Sequence, residues 1–323
     1  MSFNRIAVYG HRGWGSSSIV DALIASGAPV KILYRHGSDI SSLPGHVTKV
    51  EVDVDDEAAL IDALQNIDIV VSLVGHEGVR RQHGFVKAIP KTNVKLFSPS
   101  DLAARYDEQG LRVSVNKEKD EVEKAAKAAG IPTTVVLVGN FAEFALNTPG
   151  MGVDSAGNMI THSGNSADEK LNLWDQPNLM GSHNIICSTR KYVAAAYASI
   201  FAATPISQLE NRAIALCELA PTGREIEAAL EAKHGVAPQV STHSLDRVNG
   251  EVEGGLQSGS PFALAWYCRK IWATGQQCQM VGTDFWQVDG YDKATLEDLV
   301  VRGKLEAYRE MPPQVAEYFK QCF

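Results

Sequence analysis

Apolar and polar positions alternate in two rhythms over the first 140 residues. Ile6-Ala7-Val8-Tyr9 is a short apolar run that stops at Gly10-His11-Arg12-Gly13-Trp14-Gly15-Ser16; Ile19, Val20, Ala22, Leu23 and Ile24 then recur at helical spacing up to Gly27. The exchange repeats along the chain. Val30-Lys31-Ile32-Leu33-Tyr34-Arg35 predicts a second strand. Residues 47–54 predict a third, running into the acidic cap of a helix over 57–64. The nearly unbroken apolar run 67–75 is the pattern of a strand buried on both faces. A helix carrying Phe85, Val86, Ala88 and Ile89 follows, and then a strand over 94–97 that ends in Ser98-Pro99-Ser100-Asp101. A helix over 115–129 is stopped by Gly130-Ile131-Pro132, and a sixth strand over 133–138 leads to Gly139-Asn140-Phe141. Six strands alternating with helices through right-handed crossovers predict an α/β, Rossmann-type, doubly wound parallel sheet.

The rhythm breaks after Pro149. Residues 150–181 are rich in Gly, Asn, Asp and Ser and predict loops and short strands. Beyond them come a strand over 185–187, an apolar helix over 192–202, a strand over 213–216, a helix over 222–233 with Thr222 and Glu225 in capping-box positions, and a strand over 239–241. Residues 261–274 are apolar and aromatic, and a short helix near Val315 closes the chain. This predicts a dinucleotide-binding domain over 1–150 and a smaller substrate lobe over 151–323, with some later segments returning to the sheet.

Composition narrows the classes. The chain has 323 residues, 45% of them hydrophobic, and a net charge of −8, which argues against nucleic acid as a partner. No apolar run is long enough to span a membrane, and no basic segment followed by an apolar one marks a signal peptide. The five cysteines (Cys187, Cys217, Cys268, Cys278, Cys322) show no metal-ligand spacing and are expected as free thiols. A cytoplasmic protein that works on a small-molecule substrate, without a metal, fits; a homodimer is left open.

The turn after the first strand carries the first chemistry. Gly10 permits a tight turn, Gly13 lets the backbone approach a diphosphate, Trp14 and Gly15 complete the turn, and the N-terminus of the helix that follows from Ser17 favours an anion. Ser16 stands where a third glycine is usual and is a candidate helix cap. An acid at the end of the second strand would bind a ribose 2′-hydroxyl, whereas Arg35 favours a 2′-phosphate and hence NADP(H). Arg12 can reach the same phosphate with its planar fork of donors. Asp53 is placed near the adenine. Val74 and Gly75 end a central strand, where ligands of open α/β sheets bind, and Ser98, Pro99, Asn140 and Phe141 follow neighbouring strands.

Taken together, these segments resemble the NmrA-like and isoflavone-reductase-like branch of the atypical short-chain dehydrogenases. The likeness rests on Gly10-x-x-Gly13, Arg35, Val70 through Gly75, Gln82-x-x-Phe85-Val86-x-Ala88-Ile89, Val94-Lys95-Leu96-Phe97-Ser98-Pro99-Ser100-Asp101, and Lys119 eleven positions before Gly130. It covers about the first 145 residues. The chain departs from the family pattern at Arg12, usually threonine, at Ser16, and after Arg35, where Gly37-Ser38-Asp39 supplies no second base. The resemblance implies that Lys119 is an active-site lysine, with Lys117 an open alternative. Tyr106 is too distant in sequence from Lys119 to form the Tyr-x-x-x-Lys pair of the wider superfamily.

His76, directly after Gly75, is a second candidate proton donor. His162 and His183 are candidates to line a substrate pocket, as are Trp174, Tyr267 and Trp286; Trp266 and Trp272 read as core. The resemblance implies an NADPH-dependent reductase of a small aromatic, enone or imine metabolite, of the kind found in secondary metabolism. The alternatives are an NADP(H)-binding redox sensor without turnover and a non-redox enzyme on the same fold.

Overall fold

In the computed structural model of the protein the described residues are 3–164 and 184–321. Trp174 and His183 lie outside them. The elements, in chain order, are β1 (Ile6–Tyr9), α1 (Trp14–Ala25), β2 (Val30–Tyr34), β3 (Thr48–Glu51), α2 (Glu57–Ala63), β4 (Ile69–Ser72), α3 (His83–Ala88), β5 (Leu96–Ser98), α4 (Ser114–Ala128), β6 (Thr134–Leu137), β7 (Asn140–Phe141) and α5 (Ala142–Ala145). Then come β8 (Val153–Asp154), β9 (Met159–Ser163), β10 (Cys187–Ser188), α6 (Arg190–Phe201), β11 (Arg212–Ala215), α7 (Gly223–His234), β12 (Gln239–His243), α8 (Leu245–Ser258), α9 (Ala263–Ala273), α10 (Gln276–Val281) and α11 (Pro313–Lys320).

Every residue of β1 and β4 is buried, because these strands are covered on both faces. They form the centre of a parallel sheet ordered β3-β2-β1-β4-β5. One face carries Ile6, Val8, Ile69 and Val71 against Ile19, Val20 and Leu23 of α1 and Val193, Tyr197 and Ile200 of α6. The other carries Ala7, Val70 and Phe97 against Leu60 of α2, Phe85 of α3 and Val122 of α4. Burying each such aliphatic side chain contributes on the order of 1.5–3 kcal/mol. The strand order reverses beside β1, so the carboxyl ends of β1, β2 and β4 open a crevice on one edge of the sheet.

The second half returns to this layer. A parallel bridge from Phe97 to Thr133 joins β5 to β6, and β6 pairs in parallel with β11 from Arg212↔Thr134 to Ala215↔Leu137. Helix α6 shares a core with α1. Elsewhere β7 pairs with β10, and β12, β9 and β8 make a three-stranded sheet that α9 and α7 contact through β9.

Three local features differ from the sequence reading. Ser16 does not cap α1: it lies inside the first turn, and its hydroxyl donates to the Gly13 carbonyl at 3.2 Å. The strand expected over 185–187 is displaced to Cys187–Ser188, set by its pairing with Asn140–Phe141. Helix α8 was not expected, because Gly250, Gly254 and Gly255 mask its stripe of Val248, Val252 and Leu256. The capping box at Thr222 and Glu225 forms. Among the described residues no helix is long and apolar enough to cross a membrane.

Candidate functional site

A cavity of about 750 Å³ lies over the carboxyl ends of β1, β2 and β4. Its floor is Gly10, which has a φ of +99°; a Cβ there would sit 2.8 Å from the Leu73 carbonyl carbon. Only glycine lets the turn leave β1 so close to β4. Gly13 is the N-cap of α1 and lines the cavity, and the first turn of α1 holds no acid, so the helix dipole there favours an anion. Arg12 and Arg35 line the cavity, both are exposed, and among the described residues neither forms an ion pair. Val74 and Gly75 form the opposite wall with His76. Asp53 lines an adjoining cavity of about 320 Å³ with Arg35, His36 and Glu51.

The sequence reading omitted several lining groups. His11 is buried, and its Nε2 sits 3.0 Å from the Asp39 carbonyl oxygen, fixing the loop after β2. Ser38, Glu77 and Arg81 also face the cavity. No motif marks them, because they reach it from three separate loops.

Other expected contact residues lie elsewhere. Ser98 and Pro99 are buried behind the wall, where Ser100 Oγ donates to the Val74 carbonyl at 2.7 Å. Phe141 covers Gly15: a Cβ at Gly15 would lie 3.2 Å from the Phe141 ring. Trp14 packs edge-on against Phe141 at 5.1 Å and against Tyr308 at 4.9 Å, and the Arg190 guanidinium lies 4.8 Å from its ring centroid. Tyr308 also meets Phe144 at 5.2 Å. Asn140, at the start of β7, is buried with its side-chain nitrogen unpartnered. An aromatic cluster thus packs beside the glycine turn, around the first residue of α1.

Tyr308 reaches that position on an extended strap between residues 302 and 312. Glu306 holds the strap to Lys191 at 2.9 Å, and α11 anchors its far end by stacking Tyr318 on Phe262 at 3.9 Å.

The structure separates the two candidate lysines. The Lys117 side chain is 64% exposed and lies 3.8 Å from Glu121, an ordinary helix-surface pair. Lys119, two residues on, is only 15% exposed and donates to the Asp101 carbonyl oxygen at 2.5 Å, with the Asp101 carboxylate 3.8 Å away. Tyr106 donates to the same carboxylate at 2.8 Å. Tyr106 and Lys119, too far apart in sequence to be paired, therefore converge on Asp101. Burial lowers the Lys119 pKa, with Asp101 opposing the shift, and burial raises the Asp101 carboxyl. His76, at the cleft mouth, is also held below its usual value, by desolvation on its protein side and then by the charges of Lys119 and Arg309.

The second-half candidates take structural positions. Trp266 and Trp272 are 1% exposed core residues, and Tyr267 donates to Asp107 at 2.8 Å. Trp286 bonds Ser199 at 3.1 Å. His162 is buried, 3.0 Å from Glu227. Among the described residues no group of three or more potential ligands could hold a metal ion.

Solved structures share this architecture. Pinoresinol-lariciresinol and phenylcoumaran benzylic ether reductases superpose with a TM-score of 0.70 at 18% identity, over 93% of this chain and 98% of theirs. A leucoanthocyanidin reductase–NADPH complex from Vitis vinifera gives 0.66 at 17% identity, over 98% of both chains. In sequence the chain is 31% identical over 156 residues to an isoflavone reductase homolog of Zea mays, covering 44% of this chain and 50% of that protein. It is 29% identical over 162 residues to phenylcoumaran benzylic ether reductase 1 of Arabidopsis thaliana, covering 46% and 52%. The chain thus spans about half the length of the curated relatives it matches. The model of the NmrA-like family matches residues 2–237, most of the chain, and the protein belongs to that family.

Proposed function

We propose that the protein is an NADPH-dependent reductase of a small aromatic metabolite bearing an enone, imine or comparable reducible group. The observation that carries the reading is the cleft itself: a glycine turn pressed against β4, the N-cap of α1, and two exposed guanidinium groups, Arg12 in the turn and Arg35 at the end of β2, neither in an ion pair among the described residues. These residues fit a dinucleotide whose diphosphate rests on α1 and whose ribose carries a phosphate near Arg12 and Arg35. The bound coenzyme supplies a hydride from its nicotinamide. The chain supplies orientation, exclusion of water by Trp14, Phe141 and Tyr308, and a proton. Lys119 is the proposed donor, since partial burial lowers its pKa toward a useful range. His76, exposed and lining the cavity, is the proposed relay to solvent. The relatives named for isoflavone and phenylcoumaran substrates support an aromatic substrate.

The test is calorimetric titration with NADPH, NADP+, NADH and NAD+ at one pH and salt, followed by a screen of aryl enones and imines for NADPH oxidation. Tight binding of the phosphorylated pair with turnover is expected. Binding of none of the four would end the coenzyme reading. Preference for the oxidised form without any turnover would favour a redox sensor instead. Replacing Arg12 and Arg35 together by alanine should abolish the preference for the phosphorylated pair; an unchanged preference would remove both from the site.

A further inference from the structure

After Arg35 and His36 the loop Gly37-Ser38-Asp39 carries no further base. A base reaches the same place from another element. The turn His76–Gln82, which follows β4, carries Arg80 and Arg81. Arg80 is engaged with Glu118 of α4 at 2.8 Å. Arg81 lines the main cavity and also the smaller one, and Arg35 alone shares that placement. Two guanidinium groups thus stand at the junction of the two cavities.

The backbone beneath Arg81 is fixed. Gln82 is fully buried; its side-chain oxygen accepts from the Ser100 N–H at 2.8 Å and its nitrogen donates to the Val79 carbonyl at 3.1 Å. A Cβ at Gly84 would lie 2.0 Å from the Val54 carbonyl oxygen, so the chain leaving the turn is pressed onto the loop between β3 and α2. The turn therefore cannot swing out, and Arg81 also interacts with the Tyr9 hydroxyl at the end of β1. The acids around the smaller cavity have other partners: Glu51 meets His36 at 2.9 Å, and Asp53 accepts from the Asp55 N–H at 3.1 Å.

We infer that Arg81 is the second cation for a phosphate on the adenosine ribose, and a determinant of the choice between phosphorylated and unphosphorylated coenzyme. The inference rests on the coenzyme reading proposed above. A phosphate dianion between Arg35 and Arg81 receives planar forks from two sides. A ribose with a free hydroxyl leaves the two cations facing each other without a counter-charge, which selects against it.

Wild type and Arg81→Gln are titrated calorimetrically with NADPH and NADH, and with adenosine 2′,5′-bisphosphate and AMP, which lack the nicotinamide. The variant should bind NADPH and the bisphosphate about 10- to 100-fold more weakly, as expected for one lost charge-assisted contact, while NADH and AMP stay within about threefold. Equal weakening of both members of each pair would make Arg81 an adenine-stacking residue and overturn the inference, as would no change in any. Should Arg81→Gln not fold, by circular dichroism and melting, Arg81→Lys decides. It keeps the charge and loses the fork, so it should weaken only the two phosphate-bearing ligands, by a smaller factor; indifference overturns the inference. Wild type that binds none of the four ligands would bring down the coenzyme reading and this inference with it. Wild-type binding with an indifferent variant overturns this inference alone.

Discussion

The two ends of the cleft are built on opposite plans. The adenosine end is open and charged: Arg12 and Arg35 are exposed, and the glycine turn, the β2 end and the turn after β4 each contribute one wall. The other end, as proposed, is packed and mostly aromatic: Trp14, Phe141, Phe144 and Tyr308 touch one another, and the largely buried Lys119 is bound to Asp101. The contrast teaches where each function resides. Capture of a polyanion needs exposed charge that steers and discriminates, because exposed pairs are screened and easily exchanged. Proton transfer and exclusion of water need burial, because only burial shifts a lysine far from its solution behaviour.

The largest effect should come from the hinge between the two ends. Gly10→Val forces a Cβ into the Leu73 carbonyl at a φ of +99°, a conformation that costs a β-branched residue about 1–3 kcal/mol in strain alone. Calorimetry should show NADPH affinity reduced by at least ~100-fold, and melting should fall by several degrees. Retention of wild-type affinity would mean that the turn does not carry the diphosphate. Next, Lys119→Met should lower turnover by about 100-fold or more while NADPH affinity changes little, the signature of a lost proton donor. Full turnover would remove Lys119 from the chemistry. Tyr308→Ala should act at the same end but more weakly: the apparent KM of an aromatic substrate rises about tenfold, the cost of one lost aromatic wall, with kcat reduced less. An equal loss of affinity for AMP would show instead that the strap supports the whole cleft.

The open end was the more legible in the sequence, for a physical reason. Gly10, Arg12, Gly13 and Arg35 act through backbone freedom and strand-end position, both local properties that spacing reveals. The six strands and their order of helices were legible for the same reason, since periodicity is local. The closed end depends on residues distant in sequence. Tyr308 meets Trp14 across almost the whole chain, and Tyr106 and Lys119 converge only because Asp101 lies between them in space. Arg81 was missed although it is near Gly75, because nothing in the sequence says that Gln82 and Gly84 pin its turn. That later segments return to the sheet was expected, but the partner strand was not: the β6–β11 pairing became visible only in three dimensions.

The finest discrimination between the ends is a pH profile. Lys119 must carry its proton to donate it, and burial holds its pKa below the ordinary 10.5, with Asp101 on one side and Cys268, His76 and Tyr106 nearby. The alkaline limb of kcat should therefore fall below pH 10.5, whereas coenzyme affinity, which depends on arginines that stay charged, should stay flat there. The same shift makes a prediction for stability. Between the lowered folded value and 10.5 the folded state binds fewer protons than the unfolded chain, so the unfolding free energy should rise with pH across that window. Lys119→Met removes the titrating group and should flatten that rise. Lys119→Arg keeps a cation that does not titrate there, so its residual activity should lose the alkaline limb altogether. A limb that persists in Lys119→Arg would belong to another acid, and the closed end would then owe its pH dependence to a group other than the buried lysine.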